Sequence, residues 1–239
     1  MNQTRLISAV FTLLVTLVGM YVQSSSAQDE DEQDLRATIE AQATLIAELE
    51  ATPASEITLF ETEWSDGLNG WSAPIEWQVV NGTLVNDGTG PDQEVWVVAP
   101  FEPQTQDYAV EAEILFINRN RDSVINCVDA GFGVVARGDG QSGYFGGILN
   151  LEELCLGGND FAGIRLGTEN SDSLSQTRYT LGDDWHTYRL EVEGNAIRLY
   201  IDGRLMAETR DNQLLQAGEV GLWSSAMQIE VRSFKVLAL

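Results

Sequence analysis

The stretch DDWHTYRLEVEGNAIRLYIDGRL, residues 183–205, decides the fold, because apolar and polar side chains alternate on both sides of a short turn. Apolar residues recur at every second position before and after Gly194-Asn195, as a half-buried β-strand requires. Glycine and asparagine both tolerate the positive φ of a two-residue hairpin turn. The sequence therefore predicts an antiparallel hairpin in which the numbers of facing residues sum to 389.

This register assigns cross-strand partners on the polar face of the hairpin. It places Glu191 opposite Arg198 and Arg189 opposite Tyr200. The first pair predicts an ion pair and the second a cation–aromatic contact, both of which suit a cross-strand face.

The only histidine of the chain, His186, lies on the apolar parity at the mouth of this hairpin. We predict a hydrogen-bonded packing residue, sealed under Trp185 and oriented by Asp183 or Asp184. A role as catalytic base is the alternative, but no nucleophile lies nearby in the sequence.

Composition and charge limit the classes of function. The 239 residues are 44% hydrophobic and 21% charged, which is enough apolar material for a buried core. Acids outnumber bases by 37 to 13, and a net charge of −24 repels nucleic acid and anionic membranes at long range. The acidic surface favours solubility; calcium or a cationic partner is the alternative explanation.

The first 27 residues have the pattern of an export signal. Arg5 precedes an apolar run over residues 6–22, and small residues at 25–27 provide a cleavage site. We therefore expect an extracellular or cell-surface protein, attached to a membrane only if this segment is retained.

Residues 28–56 form an acidic linker with a short predicted helix. The stretch DLRATIEAQATLIAELEAT, residues 34–52, is rich in alanine, leucine and glutamate, which favour helix. Apolar residues follow a heptad spacing across residues 35–49. Two interpretations remain open: a helix lying on the following domain, or a coiled coil that makes a homo-oligomer.

Residues 57–239 have a sequence pattern typical of an all-β domain, with short apolar segments between glycine, asparagine and aspartate clusters. Antiparallel sheets packed face to face are the expected architecture. The twelve predicted strands are Thr58–Glu63, Glu76–Val80, Thr83–Asn86, Glu94–Ala99, Tyr108–Phe116, Gly131–Ala136, Tyr144–Leu149, Ala162–Arg165, His186–Glu193, Ala196–Ile201, Glu219–Trp223 and Gln228–Leu237.

The hairpin pattern W-H-x-Y-R-L-x-V-x-G-N-x-I-R-L-Y-I-D-G follows F-x-x-x-W-S-D-G-L-N-G-W-S-x-x-x-E-W-Q-V-V-N-G-T-L-V from Phe60 to Val85. Together they resemble the concanavalin A-like lectin/glucanase superfamily. The likeness extends to laminin G-like, 3-keto-disaccharide-hydrolase-like and family 16 glycoside hydrolase-like domains of secreted bacterial proteins. The resemblance covers about residues 59–239. It implies an antiparallel two-sheet jelly-roll sandwich whose concave face commonly binds glycans.

The resemblance implies no activity, because the Glu-x-Asp-x-x-Glu strand of family 16 hydrolases is absent. We therefore predict a non-catalytic, carbohydrate-binding module. One alternative is a glycoside or keto-sugar hydrolase with a divergent site. The other is a structural or adhesive module that its helical stalk oligomerises.

Polar-parity residues of two hairpins are the predicted ligand contacts: Arg137, Tyr144, Arg189 and Tyr200. Planar polar and aromatic groups suit sugars, although ordinary sheet-surface positions are an equally good interpretation. No cofactor is expected to be required. Calcium is a candidate at the loop-borne acids of residues 87–92, 159–160 and 169–172, although none has the spacing of a calcium loop.

Cys127 and Cys155 flank a second predicted hairpin, residues 131–149, whose turn centres near residues 140–142. Facing residue numbers would sum to about 282, which pairs the two cysteines. We predict a disulfide that stabilises the domain by about 3 kcal/mol. A free pair or a metal-binding pair is the alternative.

Overall fold

The computed structural model describes residues 56–89, 96–119, 130–150, 160–167 and 173–239. The signal segment, the helical stalk, Cys127 and Cys155 lie outside these ranges. The compact unit that follows residue 55 spans Glu56–Leu239. No helix within the described ranges has the length and hydropathy to cross a membrane.

Two antiparallel sheets form this unit. The described strands are β1 (Thr58–Thr62), β2 (Trp77–Val80), β3 (Thr83–Asn86), β4 (Trp96–Val98), β5 (Tyr108–Arg119), β6 (Ala130–Gly138), β7 (Tyr144–Asn150), β8 (Asp160–Leu166), β9 (Ser173–Tyr179), β10 (Trp185–Glu193), β11 (Ala196–Ile201), β12 (Arg204–Arg210), β13 (Glu219–Ser225) and β14 (Met227–Ala238). The eight-stranded sheet has the order β12-β11-β10-β5-β14-β3-β2, with β1 also paired to β14, and the six-stranded sheet has the order β4-β13-β6-β7-β8-β9. The prediction of an all-β, antiparallel two-sheet sandwich is confirmed.

The β10–β11 hairpin has the predicted register. Arg189 faces Tyr200 and Glu191 faces Arg198, and Gly194 in the turn has φ +54°. The ion pairs differ from the expected one, because Arg198 contacts Glu193 and Glu208 at 3.0 Å each. Glu208 comes from β12, which pairs with β11 and was not predicted.

All twelve predicted strands are present, and the described residues contain two further strands that were not predicted. β9 (SLSQTRY) and β12 (RLMAETR) each lie at an edge of a sheet. An edge strand has one open side and carries more polar residues, so its apolar alternation is weak.

The core lies between the two sheets. On the eight-stranded sheet, Tyr188, Leu190 and Val192 of β10 are buried, whereas the residues between them are partly exposed. The centre of the six-stranded sheet is buried on both faces, since all nine residues of β6 are buried, whereas the edge strand β9 is partly exposed. The alternation of apolar and polar residues therefore distinguishes buried from exposed positions on the eight-stranded sheet but not at the centre of the six-stranded sheet.

The β6–β7 hairpin has a different register from the predicted one. Facing residue numbers sum to 280, as Ala136 faces Tyr144, and the turn centres on Gly140, which has φ +83°. The Asp139 carboxylate stabilises this turn, because it accepts hydrogen bonds from the backbone N–H groups of Gln141 and Ser142 at 2.9 and 2.6 Å. The register of about 282 was wrong, and the disulfide remains a prediction.

Candidate functional site

The four predicted ligand residues lie in two separate places. Arg189 and Tyr200 are partners on the outer face of the eight-stranded sheet, the face turned away from the other sheet. Arg137 and Tyr144 belong to the six-stranded sheet. The structure therefore does not bring the four side chains into one site.

Arg189 is surrounded by carboxylates. Its Nη1 lies 2.7 Å from Glu56 Oε1 and 3.6 Å from Glu111 Oε2, and its Nε lies 2.9 Å from Glu191 Oε1. Tyr200 also interacts with Glu191. Ligand contact by this pair remains a prediction, and a ligand there would compete with these carboxylates.

Arg137 is not on an exposed sheet surface, as alternation had predicted, because it is 1% exposed. The reason is a β-bulge. Val135 faces Gly221 and Gly138 faces Glu219, so two residues of β6 oppose one of β13. Arg137 has φ +54° within this bulge. A bulge re-aims a side chain, and strict alternation fails beyond it.

The Arg137 guanidinium is held by three backbone carbonyls. It donates to the oxygens of Gln106 at 2.7 Å, Gly194 at 2.8 Å and Leu214 at 3.0 Å. These residues come from three separate loops. A planar fork of N–H donors suits such an arrangement, so Arg137 ties the loops together.

Tyr144 is also buried, at 0% exposure, because its parity faces the core. Its hydroxyl donates to Asp211 Oδ1 at 2.7 Å and accepts from the Leu214 N–H at 3.1 Å. Burial raises the pKa of Tyr144 to about 12. We call Arg137, Tyr144 and Asp211 the arginine clamp, because all three hold the loop over residues 211–218.

His186 is hydrogen-bonded, but to a different residue from those predicted. Its Nδ1 lies 2.7 Å from Asp202 Oδ2, and Asp202 Oδ1 accepts from the Thr187 N–H at 2.9 Å. The His186 side chain is 22% exposed, so the prediction that Trp185 seals it was wrong. Successive strand residues point to opposite faces, and Trp185 packs under Arg232 on the outer face instead.

A second apolar cluster covers the outer face of the six-stranded sheet. Phe145 and Trp223 are buried there, and Trp96 packs on them while partly exposed. The Arg165 guanidinium lies 4.5 Å from the Trp223 ring centroid and 5.4 Å from that of Phe145. Glu219 shares the parity of Trp223 on β13. We call Trp96, Phe145, Arg165, Glu219 and Trp223 the aromatic face.

Glycines form the floor of the aromatic face. Trp223 faces Gly133, Gly133 faces Gly147, and Gly147 faces Gly163, in one row across four strands. A Cβ added at Gly131 would lie 2.5 Å from the Trp223 ring. The glycines therefore let rings lie against the backbone of the sheet.

Two buried polar atoms of the aromatic face lack a hydrogen-bond partner among the residues that the structure describes. They are Trp223 Nε1, a donor, and Glu219 Oε2, an acceptor. Because buried polar groups are nearly always paired in proteins, each of these atoms needs an explanation. A ligand that offers both an acceptor and a donor would satisfy both atoms.

Sequence reasoning missed the aromatic face. The alternation of apolar and polar residues directed attention to the polar-parity positions instead. A signal was present in the glycine-rich strands Gly131–Ala136 and Tyr144–Leu149, which carry apolar residues on both parities. Such strands are apolar on both faces, and small residues between aromatic ones indicate a close approach of rings or ligand to the backbone.

The described strands place one carboxylate, Glu219, on the aromatic face. A retaining glycosidase requires two carboxyl groups about 5 Å apart. No group of three or more His, Cys, Asp or Glu side chains within the described ranges could hold a metal ion. Two of the acids predicted as calcium ligands have other partners. Asp160 forms an ion pair with Arg119, and Asp87 accepts a hydrogen bond from the Thr89 hydroxyl.

Comparisons with known proteins agree with this fold. The structure resembles the carbohydrate-binding module CBM66 from Bacillus subtilis, with a TM-score of 0.56 and 15% identity over 71% of this chain and 96% of that chain. It also resembles the laminarinase catalytic domain from Thermotoga maritima MSB8, with a TM-score of 0.52 and 12% identity over 77% of this chain and 98% of that chain. At these identities the likeness shows the fold alone. A comparison with curated proteins found no match.

The family comparison covers nearly the whole compact unit. The profile of the 3-keto-alpha-glucoside-1,2-lyase-like domain matches residues 56–237. That range begins at the first residue of the compact unit, Glu56, and ends within β14. The chain therefore belongs to the 3-keto-alpha-glucoside-1,2-lyase-like domain family.

Proposed function

We propose that this chain binds carbohydrate, without cleaving it, through the aromatic face. The observation that carries the proposal is the buried Trp223 Nε1, which has no acceptor among the described residues. Several solved structures of similar fold are named as carbohydrate-binding or carbohydrate-cleaving proteins, which supports a ligand of this class.

The chemistry of the aromatic face suits a sugar. A pyranose ring has an apolar face that stacks on an aromatic ring and hydroxyls that both donate and accept hydrogen bonds. Trp96 is partly exposed and provides the stacking surface at the rim. A hydroxyl could accept from Trp223 Nε1, and another could donate to Glu219 Oε2. Because Trp223 is 1% exposed, binding requires the side chains over this ring to move.

Net charge selects among glycans. With a net charge of −24 the chain repels uronic acids and sulfated sugars at long range. We therefore expect a neutral oligosaccharide. β13 places Glu219 and Trp223 four residues apart, a distance of roughly 13 Å along a strand. A ligand that contacts both must contain at least two sugar units.

An array of neutral, acidic and amino glycans tests this proposal, with sugar release measured in parallel. We expect binding to neutral oligosaccharides without release. The Trp96→Ala variant should lose most of the signal, whereas Trp185→Ala, on the other sheet, should keep it. Signal lost in Trp185→Ala and kept in Trp96→Ala would contradict the assignment to the aromatic face.

A second candidate function is the elimination named by the family. In a 3-keto glucoside, a base can remove the C2 proton next to the carbonyl, after which the C1–O bond breaks and the leaving oxygen takes up a proton. This step requires one base rather than two carboxylates, and Glu219 could supply it. Release of the aglycone from a 3-keto glucoside, abolished in Glu219→Gln, would favour this function over binding alone.

Export and self-association remain separate proposals. We infer a secreted or cell-surface protein whose segment over residues 35–49 forms oligomers. N-terminal sequencing of the exported protein should begin at Gln28. Sedimentation should show an oligomer for the full chain and a monomer after residues 33–52 are deleted, and the same number of subunits in both would contradict the stalk.

A further inference from the structure

We propose that Arg137 is a positioning residue for the aromatic face: its buried guanidinium fixes the place of Glu219 through the bulge in β6 and the loop over residues 211–218. The inference rests on the proposed function, because the place of Glu219 affects binding only if this face takes a ligand.

The first connection runs through the backbone of the bulge. Glu219 faces Gly138, the residue that follows Arg137. A Cβ added at Gly138 would lie 3.0 Å from Glu219 Cβ and 3.5 Å from Glu219 Oε2. The Glu219 side chain therefore rests on Gly138. A change in the backbone at Arg137 would move this support.

The conformation at Arg137 is itself held in place. Its φ of +54° is unfavourable for a residue with a side chain. Its N–H donates to the Tyr108 hydroxyl at 2.8 Å, and three carbonyls hold its guanidinium. These contacts offset the cost of the bulge conformation.

The second connection runs through the loop that leads into β13. The arginine clamp holds Leu214 from both sides, because Arg137 binds its carbonyl and Tyr144 accepts from its N–H. The loop ends at Gly218, where an added Cβ would lie 2.3 Å from the Gly138 carbonyl oxygen. Loop and bulge are thus packed against each other directly before Glu219.

Arg137→Lys tests this arrangement, because lysine keeps the positive charge but is a point charge that cannot copy the planar fork. The probes are tetrasaccharides of glucose linked β-1,3, β-1,4 or α-1,4. The tetrasaccharide that the wild-type protein binds most tightly is used for all variants. We expect Arg137→Lys and Glu219→Gln each to weaken binding roughly tenfold, the loss typical of a charged hydrogen bond.

The double variant distinguishes positioning from a general structural role. If Arg137 acts through Glu219, Arg137→Lys combined with Glu219→Gln should weaken binding only about tenfold, because both changes remove the same contact. A matched control is Arg198→Lys, an arginine in two ion pairs on the opposite outer face. Arg198→Lys should change affinity less than about twofold, and its effect should multiply with that of Glu219→Gln.

Each outcome decides the matter. If the unchanged protein binds none of the tetrasaccharides, the proposed function fails and the positioning role fails with it. If Glu219→Gln weakens binding but Arg137→Lys does not, or the two effects multiply to about a hundredfold, the positioning role alone is overturned. If Arg137→Lys does not fold, Tyr144→Phe replaces it, because this change removes the hydrogen bond from the Leu214 N–H to the Tyr144 hydroxyl. The double-mutant cycle is then measured with Tyr144→Phe and Glu219→Gln.

Discussion

The guanidinium carbon of Arg165 lies 4.5 Å from the centroid of the Trp223 ring. Their strands, β8 and β13, are separated by β6 and β7, so the backbones are roughly 14 Å apart at ordinary strand spacing. The two side chains meet because the residues between them in the row of Trp223 are glycines, Gly133 and Gly147. The absence of side chains at these positions therefore shapes the aromatic face.

Adding a side chain to the glycine row should destabilise the domain. In Gly147→Ala the new Cβ would lie 2.1 Å from the Phe132 carbonyl oxygen, so the strands must shift. We expect the free energy of unfolding in urea to fall by about 1–3 kcal/mol, as for overpacked cores. Gly182→Ala is the control, because its nearest contact is His186 Nε2 at 3.3 Å. An equal decrease in the free energy of unfolding in both variants would contradict the conclusion that the glycine row has no space for a side chain.

Asp202 should contribute to stability through His186 and the backbone. Asp202→Asn weakens the 2.7 Å contact to His186 Nδ1, and we expect a loss of about 0.5–1 kcal/mol in urea unfolding. Asp183→Asn changes an exposed acid of the loop that precedes β10 and should alter stability by less than about 0.5 kcal/mol. A larger effect of Asp183→Asn would show that the histidine is oriented as the sequence first indicated.

Alkaline pH should lower the free energy of unfolding through the buried tyrosines. Burial raises the pKa of both Tyr108 and Tyr144 to about 12, whereas an unfolded tyrosine titrates near pH 10. Since the unfolded state loses these protons first, stability should be constant below about pH 10. It should then fall between about pH 10 and 12, by up to about 1.4 kcal/mol per pH unit for each tyrosine.

The measurement is urea unfolding at a series of pH values from 8 to 11. Tyr144→Phe removes one of the titrating tyrosines, so its stability should fall less steeply above pH 10 than that of the wild-type protein. Identical slopes for the two proteins would show that Tyr144 ionises as readily in the folded state as in the unfolded chain.

Arg189→Gln should leave glycan affinity unchanged within about twofold, because Arg189 is on the opposite sheet from the aromatic face and lies within reach of three carboxylates. A surface network of this kind contributes about 1 kcal/mol or less to stability. Titration calorimetry with a neutral tetrasaccharide measures the affinity. A tenfold loss would instead support the Arg189–Tyr200 pair as the binding site.

The hairpin over residues 185–201 was predictable because its sheet is buried on one face only, so the parity of Leu190 against Arg189 reports inside and outside. The six-stranded sheet gave no such contrast, since Val134 and Val135 are both buried. The bulge at Arg137 added a change of direction that composition does not encode. The glycine-rich strands indicated a close approach to the sheet backbone but not which side chains make it, because Arg165 and Trp223 are far apart in sequence and meet through strand order.

The most direct test of the account is a two-dimensional NMR titration that follows the six tryptophan indole N–H signals while a neutral tetrasaccharide is added. Trp96 and Trp223 belong to the aromatic face, whereas Trp185 lies on the opposite outer face under Arg232. We predict that the indole signals of Trp96 and Trp223 shift in a saturable manner and that the signal of Trp185 stays in place. A saturable shift of Trp185 alone, with those of Trp96 and Trp223 unchanged, would contradict the claim that the six-stranded sheet binds the ligand.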